Sequence, residues 1–126
     1  MQRIHDAREL KAIALRADAA TRCNCPVGAC TGWESVGDER WPAEQMTPLG
    51  SLRDPHVAEP TFEEQHAAGT RYESPDAPIA PAYFPYNRCD LWQCGQCHRL
   101  LLRYTEFGGY YIDHRVRTLR ADLVAD

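Results

Sequence analysis

The sequence has no long apolar run. None of its apolar stretches approaches the ~20 consecutive residues that a membrane-spanning helix needs. Residues 1–20 are interrupted by charges and lack the apolar core, about 7–15 residues long, of a secretory signal. We therefore expect a cytoplasmic protein without a membrane contact. In that reducing compartment its six cysteines are expected to serve metal binding or redox chemistry rather than disulfides.

The common catalytic signatures are missing as well. The chain contains no phosphate-binding glycine loop, no Gly-x-Ser-x-Gly elbow and no paired acidic motif. Four of its histidines have no partner that sequence spacing identifies: His5, His56, His66 and His114. We therefore assign no catalytic residue and expect a protein that is not an enzyme.

The composition is that of one small globular domain, with 126 residues, 44% hydrophobic and 25% charged. The net charge of −4 is unevenly distributed, because residues 31–87 hold ten acidic residues and only three arginines. An acidic middle disfavours nucleic acid as a partner. It favours a basic protein partner instead.

The single domain, 1–126, divides into four segments. The amphipathic pattern near the N-terminus predicts a helix over 1–22, and residues 23–33 form a first cysteine cluster on a loop. Residues 34–88 hold eight of the nine prolines and predict an acidic segment of short turns that wraps the core. Residues 89–126, rich in aromatic and branched side chains, predict a hairpin preceded by another strand.

Apolar residues within the proline-rich segment indicate an ordered strap on the core rather than a linker: Ile79, Tyr83, Phe84 and Tyr86. In the last strand, alternation places Tyr110, Ile112, His114 and Val116 on one face. It places Tyr111, Asp113, Arg115 and Arg117 on the other. We expect one face to be core and the other to meet water or a partner.

The most informative motif is "CGQC", Cys94 to Cys97, two residues after Trp92. It resembles the thioredoxin dithiol "WCGPC", but no proline follows Pro85 to supply the cis-proline of that fold. With His56 and Glu59 it also resembles the deaminase signature H-x-E followed by P-C-x-x-C, although the His–Glu spacing is one residue too long. A structural metal site is the third interpretation.

The pattern "C-G-x-C-x-R-x-L" resembles the second knuckle of a zinc ribbon, and "CPVGAC" keeps the proline that often follows the first ligand. This resemblance implies a Zn²⁺ ion held by Cys25, Cys30, Cys94 and Cys97. Iron suits the same thiolates. Three residues remain alternative ligands: Cys23, Cys89 and His98.

Together these patterns predict an α+β fold, a small zinc-stabilised domain. It would combine the N-terminal helix, the proline-rich wrapping segment and a C-terminal three-stranded antiparallel zinc-ribbon-like sheet. Four thiolates would leave the metal no open position, so we expect a non-enzymatic protein-binding module of unspecified oligomeric state.

The stretch "LLRYTEFGGYYIDHRVRTL" resembles small bacterial zinc-containing proteins encoded near polymorphic toxins. This resemblance implies an immunity protein that neutralises a basic toxin by covering it. A zinc-ribbon nucleic-acid or transcription accessory protein is the alternative, and a zinc-dependent deaminase-like enzyme is the third.

Overall fold

The structure is a computed structural model, and it describes residues 2–16, 27–66, 69–107 and 110–126. Those residues contain helix α1, Ala7–Arg16. They also contain the strands β1 (Glu34–Ser35), β2 (Met46–Ser51), β3 (Asp90–Cys94), β4 (Leu100–Phe107) and β5 (Ile112–Thr118). The strands form one antiparallel sheet in the order β1-β5-β4-β3-β2.

The prediction of a three-stranded sheet is wrong, because the sheet has five strands. The two additional strands, β1 and β2, come from the proline-rich segment and pair with β5 and β3. Both lie at the edges of the sheet. An edge strand can be short and can contain a residue without an N–H, as β2 does at Pro48. The prolines therefore limit the length and position of these strands without preventing them.

The zinc-stabilised ribbon architecture is also corrected. Within the described ranges, which do not include Cys23 or Cys25, no group of three or more His, Cys, Asp or Glu side chains is arranged to hold a metal ion. The described sheet is covered instead by apolar side chains on both of its faces. In the described residues, the sheet is thus stabilised by the burial of apolar side chains.

Alternation along β4 assigns the two apolar clusters to opposite faces of the sheet. Leu100, Leu102 and Tyr104 belong to the cluster that also contains Leu10 of α1, and we call this side the helix face. Leu101 belongs to the cluster that contains Cys94 and Cys97, and we call this side the knuckle face. The sheet is therefore the middle layer of the molecule.

Helix α1 begins at Ala7 because Asp6 caps it. The Asp6 carboxylate accepts a hydrogen bond from the Glu9 N–H at 2.9 Å, and its carbonyl oxygen accepts one from Leu10. Residues 2–5 are not helical, since the Ile4 N–H donates to the Ser51 carbonyl beside β2. The helix predicted over 1–22 begins only at Ala7, and residues 17–22 lie outside the described residues. No helix in the part of the chain that is described has the length and apolar character needed to cross a membrane.

The strap predicted from the sequence lies on the helix face. Ile79 is fully buried and forms an isolated bridge with Val124. Arg117 of β5 holds the beginning of the strap, because its guanidinium donates to the carbonyl oxygens of Pro75, at 3.0 Å, and Ala77, at 2.9 Å. Arg117 is 1% exposed. Both faces of β5 are therefore core at this point, which differs from the expected single core face.

Candidate functional site

The "CGQC" motif forms the tight turn between β3 and β4. The Cys94 N–H donates to the Arg99 carbonyl and the His98 N–H donates to the Cys94 carbonyl, both at 2.9 Å. His98 adopts a φ of 62°, which lets the chain turn back into β4 directly after Cys97. The Gly95 N–H donates to the Gln45 carbonyl at 2.7 Å and so attaches the turn to the residue before β2.

Backbone N–H groups of this turn point at the sulfur atoms. The N–H groups of Gln96 and Cys97 donate to Cys94 Sγ, and the Arg99 N–H donates to Cys97 Sγ. The Gln45 side-chain amide also reaches Cys94 Sγ, at 3.5 Å. Such N–H···S bonds favour the charged form of a thiol, which is the form that binds metals.

The two thiols of the turn differ in acidity. Burial raises the pKa of Cys94, but the N–H groups of Cys97 and Gln96, the Cys97 thiol and the Gln45 amide outweigh it and leave that pKa below its ordinary value. Burial raises the pKa of Cys97. The Arg99 N–H lowers it, but the hydrogen bond with Cys94 raises it further, so the pKa of Cys97 stays above its ordinary value. Cys94 is therefore the more acidic thiol of the pair.

Cys30 lies in the same apolar cluster as Cys94 and Cys97. Its thiol donates to the Val27 carbonyl at 3.3 Å, and burial, followed by the carboxylate of Glu34, raises the pKa of Cys30 to about 11. Among the described residues the three thiols do not form a group arranged around a metal ion. Cys30 is thus near the turn in the fold but protonated in this arrangement.

The loop that carries Cys30 is held against the turn and β5. Arg99 Nη1 donates to the Gly28 carbonyl at 2.7 Å, and the Thr118 N–H donates to the Cys30 carbonyl at 2.8 Å. Cys25, the remaining predicted ligand, and its rival Cys23 lie outside the described residues.

The roles of Arg99 and Gln45 were not predicted from the sequence. The arginine of "C-G-x-C-x-R" was visible there, whereas nothing in the sequence pointed to Gln45.

Of the two other rival ligands, Cys89 lies apart from the turn and His98 is exposed. Cys89 is fully buried in the helix-face cluster, and its thiol donates to the Pro85 carbonyl at 3.3 Å. Burial raises the pKa of Cys89 well above its ordinary value. His98 is exposed.

The residues of the deaminase and thioredoxin interpretations are arranged differently from those sites. His56 and Glu59 are exposed on the loop after β2, and the described residues contain no histidine–dicysteine group of the kind a deaminase needs. Cys94 ends a strand, whereas the thioredoxin dithiol opens a helix that lowers a thiol pKa.

Comparisons with known proteins add no relative to this description: no protein-family model, no curated protein and no solved structure matches the chain.

Proposed function

We propose that the "CGQC" turn binds a zinc ion through Cys94 and Cys97, with Cys25 and Cys30 as the other two ligands. The observation that carries the proposal is the set of backbone N–H groups aimed at the two sulfur atoms of the turn. Thiolates are the preferred ligands of structural zinc, and iron would suit the same atoms. Cys30 would have to release the Val27 carbonyl and lose its proton.

A zinc ion with four thiolate ligands has no open position for water or a substrate. We therefore propose that the protein works by binding another protein and carries out no reaction of its own. The exposed end of the β4–β5 hairpin supports this role, because four large apolar residues there are each more than half exposed: Phe107, Tyr110, Tyr111 and Ile112. A cluster of this kind is typical of protein contact sites.

Metal analysis tests the site. The purified protein is expected to contain one zinc ion per chain, measured by mass spectrometry of the metal. Cys94→Ser and Cys97→Ser should each lose it, because a hydroxyl is a poor zinc ligand. Cys25→Ser and Cys30→Ser should lose it as well.

Cys89→Ser is the matched control, since Cys89 is buried in the opposite cluster and should leave the metal in place. Cys23→Ser should also retain it. If Cys23→Ser loses zinc and Cys30→Ser keeps it, the first pair is Cys23 and Cys25 instead. A metal-free native protein, or a native disulfide between Cys94 and Cys97, would remove the proposal.

We propose further that the partner is basic, as an immunity-type role against a toxin would require. The net charge of −4 and the exposed acids of the proline-rich segment, among them Glu44 and Glu73, support this. We expect the double variant Glu44→Lys/Glu73→Lys to bind a partner purified from the source cells more weakly, by about tenfold at low salt and less at high salt. The measurement is titration calorimetry at both salt concentrations.

The matched control is Arg8→Glu/Lys11→Glu on α1, which changes an equal number of charges in the opposite direction and should not weaken binding. An unchanged affinity in the Glu44→Lys/Glu73→Lys variant would contradict the basic partner. Retention of the wild-type protein on heparin at physiological salt would instead favour the nucleic-acid accessory role.

A further inference from the structure

Strand β4 continues past the end of its neighbour β3. The pairing between them ends with Asp90 opposite Arg103, whereas β4 runs on to Phe107 and pairs with β5 as far as Ile112. Among the described residues no strand lies beside residues 104–107 on the β3 side. Although β4 is a central strand of the sheet, residues 104–107 therefore form an open edge, which we call the β4 edge.

Two residues direct their backbone groups towards the β4 edge. The Leu119 N–H donates to the Leu100 carbonyl at 3.0 Å, so the backbone N–H and carbonyl groups of Leu100 point towards β5. Backbone direction alternates along a strand, which makes Thr105 and Phe107 face the opposite way. Their N–H and carbonyl groups provide the donors and acceptors with which a further strand pairs.

On the helix face, the β4 edge borders an aromatic groove of about 710 Å³. Its ring-bearing residues are Phe62, Tyr72, Phe84, Tyr104 and Phe107. Arg88 lies over two of these rings, with its guanidinium carbon 4.3 Å from the centre of Phe62 and 5.1 Å from that of Phe84. Flat apolar walls of this type accept an aromatic or branched side chain.

On the knuckle face, the same edge borders a smaller pocket of about 330 Å³. Three arginines line it, Arg53, Arg88 and Arg103, together with one acid, Asp90. Arg103 has a further partner, Asp38 at 3.6 Å. Within the described residues, Arg53 and Arg88 have no carboxylate at ion-pair distance, although Arg88 donates to the Pro60 carbonyl at 2.7 Å. The pocket therefore carries excess positive charge and suits a carboxylate.

We propose that an extended segment of a protein partner pairs with the β4 edge as an additional strand. Successive side chains of a strand point to opposite faces, so such a segment would place apolar side chains in the aromatic groove and carboxylates in the arginine pocket. The edge thus fits a sequence in which acidic and aromatic or branched residues alternate. This inference rests on the proposed role in protein binding and does not depend on the metal. The acidic segment is a local feature of a partner whose net charge is proposed to be basic.

A second copy of the chain fits the edge less well than such a segment. Two copies paired through their β4 edges would bring the excess charge of Arg53 and Arg88 on one chain towards that on the other. Like charges brought together at an interface oppose association. The occupant we assign to the edge is therefore a different protein.

The probe that tests this proposal is a short capped peptide, Thr-Glu-Phe-Glu-Val-Glu-Thr, labelled for fluorescence anisotropy. We expect it to bind saturably, and the same peptide with Lys in place of Glu to bind at least about tenfold more weakly. Hydrogen exchange should show new protection at the amides of Thr105 and Phe107. Arg53→Glu should weaken binding about tenfold, whereas Arg8→Glu, an exposed change on α1, should leave it unchanged.

The backbone contact has its own matched pair of variants. Thr105→Pro removes the N–H that faces the open edge without removing a bond to β5, and it should weaken peptide binding about tenfold. Thr105→Val keeps that N–H and loses the same hydroxyl contact with His114, so its affinity should stay within about threefold of wild type.

Equal binding of the Glu and Lys peptides, or full binding by Thr105→Pro, would overturn the proposal. So would a dimer of the wild-type protein that Thr105→Pro separates, because the edge would then belong to a second copy. Zinc content is measured on the same samples. Absent zinc with peptide binding intact would reject the metal site alone, and zinc without peptide binding would reject the β4 edge alone.

Discussion

Replacing Arg117 with methionine is expected to lower the free energy of unfolding by about 2–4 kcal/mol. The guanidinium is buried and donates to the carbonyl oxygens of Pro75 and Ala77 and to the hydroxyl of Tyr86. Methionine fills similar space but donates nothing, so three acceptors would be left in an apolar layer without their donor. Urea denaturation of the variant and the wild type measures the loss.

Two further variants sharpen this test. Arg120→Met removes a guanidinium whose ion pair with Asp122 is on the surface, and it should cost no more than about 0.5 kcal/mol. Arg117→Lys should recover only part of the loss, because a single ammonium group cannot reproduce the planar fork that serves separate carbonyl groups. A loss below about 1 kcal/mol for Arg117→Met would mean that the strap is not held through this side chain.

Leu101→Ala and Leu102→Ala are each expected to cost about 2–5 kcal/mol, although the two residues are adjacent and point in opposite directions. Both are fully buried, Leu101 in the knuckle-face cluster and Leu102 in the helix-face cluster. A hairpin with one face in water would lose stability at only one of these positions. Thermal and urea unfolding of both single variants measure the two losses.

Leu15→Ala, at a position 68% exposed on α1, is the control and should change stability by less than about 0.5 kcal/mol. A Leu101→Ala variant as stable as this control would show that the knuckle face is accessible to water. Such a result would contradict the arrangement in which the sheet is the middle layer between two apolar clusters.

The parts of the fold that the sequence made predictable are those with a strong local pattern. The strap around Ile79 was found from apolar residues among prolines, and the turn at Cys94 from its spacing of cysteine and glycine. Strands β1 and β2 were missed because β1 has only two residues and β2 contains Pro48 and Gly50. Strands of this kind depend on pairing with distant residues, and local propensity does not encode such pairing.

The burial of Arg117 was not predicted for a related reason. Alternation fixes which residues share a face, but it does not reveal whether a second layer covers that face. An arginine is expected at the surface unless its N–H groups find hydrogen-bond acceptors in the interior. Two of the acceptors of Arg117 are backbone carbonyl groups, which no side-chain pattern reveals. At the candidate site, the contact of Gln45 with Cys94 was missed in the same way, since the two residues meet only across the β2–β3 pairing.

The positions of β1 and β2 at opposite edges affect how the chain assembles during synthesis. Each of these strands pairs only with a strand that the ribosome makes later, β1 with β5 and β2 with β3. Strands β3, β4 and β5 are consecutive in the chain and pair with one another, so the sheet can start there. At ~5–20 residues per second, the earlier strands wait for seconds before their neighbours exist. The two edge strands are therefore made first, but each can join the sheet only after its neighbour has been made.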